Sequence, residues 1–507
     1  MRRLARHHAA VRAAHPHDHL LVVFDIDGTI LDMRHMVRHL LLAYDREHGT
    51  GHFRGLRAED VDVHENDVDE LLRGRGLPAA ARRRVLDWYL EHRWRPEAVR
   101  EAHAAFPDVM AVIRWFQIQP STSVALNTGR PASLRADTLA SLEALGRRHR
   151  VRFAPDLLHM NGGGWESDVA GSKIAGLRAF AAAGYRPVAV FDNEPDLIEA
   201  MAAADDSGDI LFLHARTLYE SRRSPPPDTP AGHRYDLRTL IGERDLPRHL
   251  ELVWHGVNDR ANLRHFLASP VRWGECDVRH DPLGRLTLRH DPFRTAGAAG
   301  AAGGVGGDGG LADPDPGPDH EPLLAEELLA AATAAGKGVK LDIKEPGVVD
   351  DVASLVERAG LSGGDLWFNG RLDVLGEHGL RRLRRAWPDA TVQCPVDVLA
   401  PLVLTAPDHA RAVLDEVASW GVDRFSLAWD STYAAALLDR FDHWGHDVNL
   451  YAVETLDDFL HAALLLPRSV TADFNFPEWH YFGRGAGQGG RYHRYHLEPT
   501  PLAADVA

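Results

Sequence analysis

Cysteine is nearly absent from this 507-residue chain: Cys276 and Cys394 stand alone, outside any Cys-x-x-Cys pair or zinc-ligand spacing. That excludes a disulfide framework and a thiolate metal site, and a reducing, cytoplasmic setting is expected. Long apolar runs are missing too. The N-terminal segment carries twin arginines, but its first apolar run, Leu20 to Phe24, is too short for a signal core or a membrane span and is expected to be a strand. Positive charge is scarce, 57 Lys plus Arg against 73 Asp plus Glu, for a formal charge of −16. With no local basic stripe to overrule it, that balance argues against nucleic acid as a partner. Lysine occurs four times, as Lys173, Lys337, Lys340 and Lys344, so each marks a position where a compact ammonium charge is wanted in an arginine-rich background. The 30 histidines show no ordered metal spacing, and most are read as surface residues.

What is present is the balance of a core-forming protein, 45% hydrophobic and 26% charged, at a length that implies two or three domains. Residues 1–19 read as a flexible tail and 20–220 as the first domain. The proline cluster SRRSPPPDTPAG opens a stiff linker, 221–248. A second domain is expected over 249–482, interrupted by a Gly/Ala/Pro-rich loop at about 295–322 that cannot bury enough apolar surface to order itself. A tail, 483–507, follows.

Before the linker, short apolar runs (LLVVFDI, TSVALN, PVAVFD, ILFLH) alternate with amphipathic stretches, which predicts a parallel α/β sheet. After it the alternation is more regular. Eight candidate strands, LELVWH, RWGECDV, VKLDIKE, LWFNG, TVQCP, RFSLAW, VNLYAV and SVTADF, have the count and order of a (β/α)8 barrel.

The first strand ends in LLVVFDIDGTI, so period-2 geometry sends Asp25 and Asp27 to one side at the strand's carboxyl end, where open α/β sheets bind ligands. Thr128 follows in LNTGRP, at a second strand end before a glycine, where a hydroxyl and backbone N–H groups can hold phosphate oxygens. Lys173 opens a helix and can offset phosphoryl charge. Asp192 and Asp196 in VFDNEPD are hard oxygen ligands suited to Mg²⁺. In these four ordered motifs the chain resembles the haloacid dehalogenase (HAD) superfamily of phosphohydrolases. The resemblance implies Asp25 as a nucleophile forming an aspartyl-phosphate, Asp27 as general acid and then base, Thr128 and Lys173 as phosphate ligands, and Mg²⁺ held by the acidic set Asp25, Asp27, Asp192 and Asp196. It also implies that the helical block at about 32–106 is an inserted, substrate-selecting cap.

In the second domain His255 lies at the end of the first barrel strand, and Glu275 and Asp277 share one face of the next, with Cys276 on the other. Two like charges on one face are tolerated chiefly around a cation, which predicts a divalent metal, Mg²⁺ or Ca²⁺, with oxygen ligands. The third strand adds Asp342 and Lys344 on one face, and His290 follows a turn after the second. One histidine can take a proton and the other give one while Lys344 offsets phosphate charge. His255-Gly256, Glu275/Asp277, His290-Asp291 and Asp342/Lys344 resemble the motifs of glycerophosphodiester phosphodiesterase-like barrels, closest to the menorin-type branch. The chain departs from them after His255, where the arginine of His-Arg-Gly is missing and Asn258 stands near the usual acidic position.

A phosphodiesterase makes a monoester and an aspartyl-phosphate phosphatase removes its phosphate. The expectation is therefore a bifunctional hydrolase of small phosphorylated substrates, the alternative being a phosphatase whose barrel only binds a phosphorylated ligand.

Overall fold

The computed structural model describes residues 1–164, 168–241, 246, 249–293 and 322–472, together with the backbone of 474–475, 480–484 and 495–498. The chain divides into two compact units, Met1–Ile241 and Gly242–Ala507.

The first unit is built on a parallel sheet of Rossmann type, with strand order β3-β2-β1-β4-β5-β6. The strands are β1 (His19–Phe24), β2 (Thr122–Pro131), β3 (Leu158–Asn161), β4 (Tyr185–Asp192), β5 (Leu211–Ala215) and the short edge β6 (Ala231–Gly232). Leu20 to Phe24 are inaccessible to solvent because β1 is covered on both faces, which is why it reads as an unbroken apolar run. Leu21, Val23, Ala125, Leu177, Phe180, Val190 and Met201 pack together on one face. β1 pairs with β2 on one side and β4 on the other, which makes its carboxyl end the switch point of the sheet.

Between β1 and β2 the chain inserts helices Met33–His48, Val68–Gly74, Ala79–His92 and Pro96–Glu101. The two connecting segments run side by side: Asp32 N donates to Ala104 O (2.8 Å), and Phe106 N to Ile30 O (2.9 Å). The first inserted helix is capped by Asp32, whose side chain accepts from Arg34 N, and ends at Gly49 in the left-handed region (φ 63°).

Two expectations for this unit are corrected. Residues 1–19 are not a flexible tail, since Arg2–Ala14 is a helix that buries Leu4 and Val11, with His7 Nε2 within 3.0 Å of Val188 O and 2.9 Å of Asp209 O. Leu4, His7 and Val11 keep helical spacing, a stripe too thin to stand out among arginines and histidines. The linker 221–248 is also shorter than its composition suggests. Its residues 231–232 form β6, Leu237–Leu240 is a helical turn, and the buried Tyr235 hydroxyl donates to Thr29 O (2.8 Å).

The second unit is a closed barrel of eight parallel strands: β7 (Glu251–Trp254), β8 (Trp273–His280), β10 (Gly338–Ile343), β11 (Leu366–Asn369), β12 (Thr391–Pro395), β13 (Arg424–Ala428), β14 (Asp447–Val453) and β15 (Ser469–Ala472). β9 (Leu286–Leu288) turns back antiparallel on β8. Closure is made by β15 on β7, with Ser469 opposite Glu251. Most of the loop expected at 295–322 lies outside the described residues. Within the tail expected at 483–507, β17 (His480–Arg484) pairs antiparallel with β18 (Tyr495–Glu498) and with β16 (Phe474–Asn475). Short strands interleaved with glycine and charge give too weak an alternation to be read from sequence.

The barrel interior is polar where such barrels are commonly filled by branched aliphatic side chains. Lys340 Nζ donates to Thr471 Oγ1 (3.1 Å), Ser469 Oγ to Asn449 Oδ1 (2.7 Å), and Arg424 Nη1 to Glu251 Oε2 (2.8 Å) while lying 4.3 Å over the Trp367 ring. Among the described residues no helix is long and apolar enough to cross a membrane.

Candidate active sites

In the first unit the carboxyl ends of three strands and the start of one helix converge. Asp25 directly follows β1, and its N–H donates to Phe191 O of β4 (2.9 Å), so Asp25 and Asp192 sit at adjacent strand ends. Lys173, on helix Val169–Ala182, ties them together: its ammonium donates to Asp25 Oδ1 (2.7 Å) and to Asp192 Oδ2. All three are buried, with 6%, 1% and 2% of Asp25, Asp192 and Lys173 exposed. Asp168 caps that helix through Gly171 N (2.8 Å), and Asn127 Nδ2 holds Lys173 O (2.8 Å), so the lysine is anchored at both backbone and side chain. Burial pushes the Asp25 carboxyl above its ordinary range despite Lys173. For Lys173 burial works in the opposite direction, but the charges of Asp192 and Asp25 outweigh it and keep the amine firmly protonated.

Asp27 is held differently. Arg130, three residues beyond the end of the TSVALN run, donates Nε to Asp27 Oδ2 (2.7 Å) and Nη2 to Oδ1 (2.5 Å), a bidentate pair. Burial opposes ionisation of Asp27, yet Arg130's charge and hydrogen bonds prevail and hold its carboxyl below the usual value. Arg130 is itself braced by Thr138 Oγ1 (3.0 Å), His103 Nε2 (3.3 Å) and the Trp94 ring, 5.2 Å from its guanidinium carbon. Thr128 Oγ1 accepts from Arg130 N (3.2 Å). The turn that follows Asp27 requires glycine, because Gly28 has φ +76° and a Cβ there would stand 2.3 Å from Asn193 Nδ2.

The four aspartates expected as metal ligands are therefore not drawn into one cluster. Asp25 and Asp192 are joined through Lys173, Asp27 is turned to Arg130, and Asp196 lies in the first turn of helix Pro195–Ala203, 3.5 Å from Arg223. Arg130 and His103 went unrecognised in the sequence, although the Thr-Gly-Arg run was visible. An ion pair across 103 residues leaves no local pattern.

In the barrel, Glu275, Asp277 and Asp342 bring ligand oxygens within 4.8 Å of one another, the one group of three such residues among those described. Parallel register sets Asp342 opposite Asp277 on adjacent strands. Each carboxylate is oriented through a neighbour: Gly256 N donates to Glu275 Oε2 (2.8 Å), Asn258 Nδ2 to Asp277 Oδ2 (2.6 Å), and Asn369 Nδ2 to Asp342 Oδ1 (2.8 Å). Lys344 Nζ lies 2.8 Å from Asp277 Oδ1 and also pairs with Asp342. Burial and the Asp277 charge push the Glu275 carboxyl up. Asp277 is buried as well, but Lys344 and His290 draw it well down. Two buried carboxylates and a partly exposed third, neutralised in part by one lysine, fit a hard divalent cation.

His255 Nε2 lies 3.8 Å from Glu275 Oε2, while His290 Nδ1 pairs with Asp291 Oδ1 (2.8 Å), a contact that fixes the ring orientation. Arg279, in phase with Glu275 and Asp277 and one step nearer the carboxyl end, donates Nε to His290 O (2.8 Å) and Nη1 to Glu345 Oε1 (2.9 Å). This arginine was missed by reading the motifs alone, since its role depends on the β8–β9 turn.

No protein-family model matches the chain, and no curated protein matches it. Solved structures do. Two groups are represented among them. One includes a glycerophosphodiester phosphodiesterase from Parabacteroides distasonis (13% identity, 45% of this chain and 94% of that one, TM-score 0.33). Another of that group is the enzyme of the same name from Agrobacterium tumefaciens (17%, 44% and 96%, TM-score 0.30). The second group includes a HAD-superfamily hydrolase of subfamily IA from Geobacter sulfurreducens (9%, 38% and 86%, TM-score 0.27).

Proposed function

We propose that the chain is a bifunctional hydrolase of phosphoric esters, a phosphomonoesterase in the first unit and a phosphodiesterase in the second, acting on small phosphorylated substrates in the cytoplasm. The observation that carries the reading is the Lys173 bridge between Asp25 and Asp192 at the switch point, with Asp27 two residues from the nucleophile. An Asp25 oxygen attacks phosphorus, the bond to the leaving alcohol breaks, and the aspartyl-phosphate forms; water then cleaves it and regenerates the carboxylate. Lys173 offsets phosphoryl charge, and the Thr128 hydroxyl binds a phosphate oxygen. Asp27 protonates the leaving alcohol and later takes a proton from water. Because Arg130 keeps Asp27 ionised in the free protein, substrate entry must loosen that pair before Asp27 can carry a proton. Mg²⁺ held by Asp25 and Asp192, with Asp196 assisting from further out, would supply neutralisation of the phosphoryl group.

In the barrel, Glu275, Asp277 and Asp342 are the residues to hold Mg²⁺ or Ca²⁺, which would polarise a phosphate oxygen. His255 and His290 serve as the acid–base pair and Lys344 as a charge partner for the phosphate. One observation favours the alternative of a barrel that binds without cleaving. Asn258 is committed to Asp277 in both directions, through Nδ2 to Oδ2 and through Oδ1 from Asp277 N (2.9 Å), so it is not free to substitute for the missing acid.

The test is phosphate release from a simple phosphodiester with divalent cation present. Wild type is expected to release inorganic phosphate, Asp25→Asn to stop at the monoester, and His255→Ala to leave the diester intact. Diester binding by calorimetry without cleavage, in several divalent metals, selects the binding-module reading instead.

A further inference from the structure

The inserted segment between β1 and β2 brings polar side chains up to the loop that follows Asp192. Glu65 is buried (9% exposed), and its carboxylate lies 3.2 Å from His64 Nε2, which in turn is 3.7 Å from Glu194 Oε1. Glu194 is two residues beyond Asp192 and donates its own N–H to Asp192 Oδ1 (2.9 Å). A second chain of contacts runs to Arg130, the partner of Asp27: Arg93 donates to Glu65 O (3.1 Å) and Asn66 Oδ1 (2.6 Å), and the Trp94 ring has Arg93 and Arg130 guanidinium carbons at 5.8 and 5.2 Å. Burial raises the Glu65 carboxyl, and the charge of Asp27 raises it further.

We infer that Glu65 and His64 form the leaving-group end of the monoesterase site and select a neutral, hydroxyl-bearing alcohol over one that carries a carboxylate. The inference rests on the monoesterase reading above. Its physical basis is the charge already matched around Glu65 and His64. Arg130 is paired bidentately with Asp27, and Arg93 is engaged by Glu65 O and Asn66, while the carboxylates of Glu65 and Glu194 face His64. An incoming carboxylate would meet like charge with the nearby cations engaged, whereas a hydroxyl can donate to Glu65 and bond to the His64 imidazole.

Glycerol 3-phosphate and 3-phosphoglycerate are matched probes, differing in a hydroxymethyl against a carboxylate. With full-length protein and Mg²⁺, kcat/KM is expected to favour glycerol 3-phosphate by about tenfold or more. Glu65→Gln is expected to bring that ratio towards unity. A wild-type ratio near or below one overturns the inference, as does a folded Glu65→Gln protein with an unchanged ratio. Should Glu65→Gln fail to fold, His64→Asn is read in the same way against the wild-type ratio. p-Nitrophenyl phosphate separates the two levels: phosphate from the aryl ester without discrimination between the probes removes this inference alone, and no phosphate from any of the three removes the monoesterase reading with it.

Discussion

Lys344 shows how much can depend on one side chain. It pairs with two of three carboxylates brought together at the mouth of the barrel, so truncating it leaves negative charges facing one another in a buried place. Lys344→Met is expected to cost about 3 kcal/mol in the absence of divalent cations. Added Mg²⁺ or Ca²⁺ should recover more stability in the variant than in wild type, a difference that thermal melting with and without chelator would read. His103 gives a second outcome, one that depends on pH. Burial, reinforced by the neighbouring Arg130 charge, lowers its pKa to about 3 from 6.5. The unfolded chain therefore takes up a proton as pH falls through 6.5 while the folded protein does not, so stability is lost between pH 6.5 and about 3. His103→Gln is expected to flatten that loss, by roughly 1–2 kcal/mol at pH 5, in urea midpoints compared at pH 7 and 5. Neither partner of His103 could be foreseen in sequence, because Arg130 and Ser141 reach it only through the fold.

Among the elements, the turn after β1 has the least freedom. Gly28 adopts φ +76° against Asn193, whose side-chain amide is already bonded to Leu218 O (2.9 Å) and cannot easily give way. Gly28→Ala should cost about 2 kcal/mol or more through strain and collision and should reduce phosphate release from monoesters, checked by circular dichroism melts beside kinetics. The motif around this turn was legible as strand, acids and glycine. The inserted segment was legible as a block, but the contacts its side chains make around the site were not, since His64, Glu65, Arg93 and His103 sit in stretches without a chemical signature. The N-terminal helix was hidden for another reason: its two buried apolar residues, Leu4 and Val11, are too few to rise above the surrounding arginine and histidine.

For the molecule as a whole, two compact units predict two unfolding transitions. Phe441 is fully buried in the barrel unit, 5.8 Å ring to ring from Phe425. Phe441→Ala is expected to remove about 3–5 kcal/mol, which would lower one calorimetric transition by roughly ten degrees and leave the other in place. A single transition shifting as one would show that the units do not unfold separately.

The amino-acid sequence determined what is local or periodic: the apolar run of β1, the eight barrel strands, the paired acids Asp25/Asp27 and Glu275/Asp277, and Lys344 in step with Asp342. Strand alternation and strand-end acids are written within a few residues, so they survive without a fold. Tertiary structure alone decided which acid is held by which cation. Lys173 meets Asp25 across 148 residues, Arg130 takes Asp27 out of the expected ligand set, and Asp196 is left facing Arg223. Such pairings arise when buried charges must find partners in a crowded interior, and sequence distance carries no record of that competition.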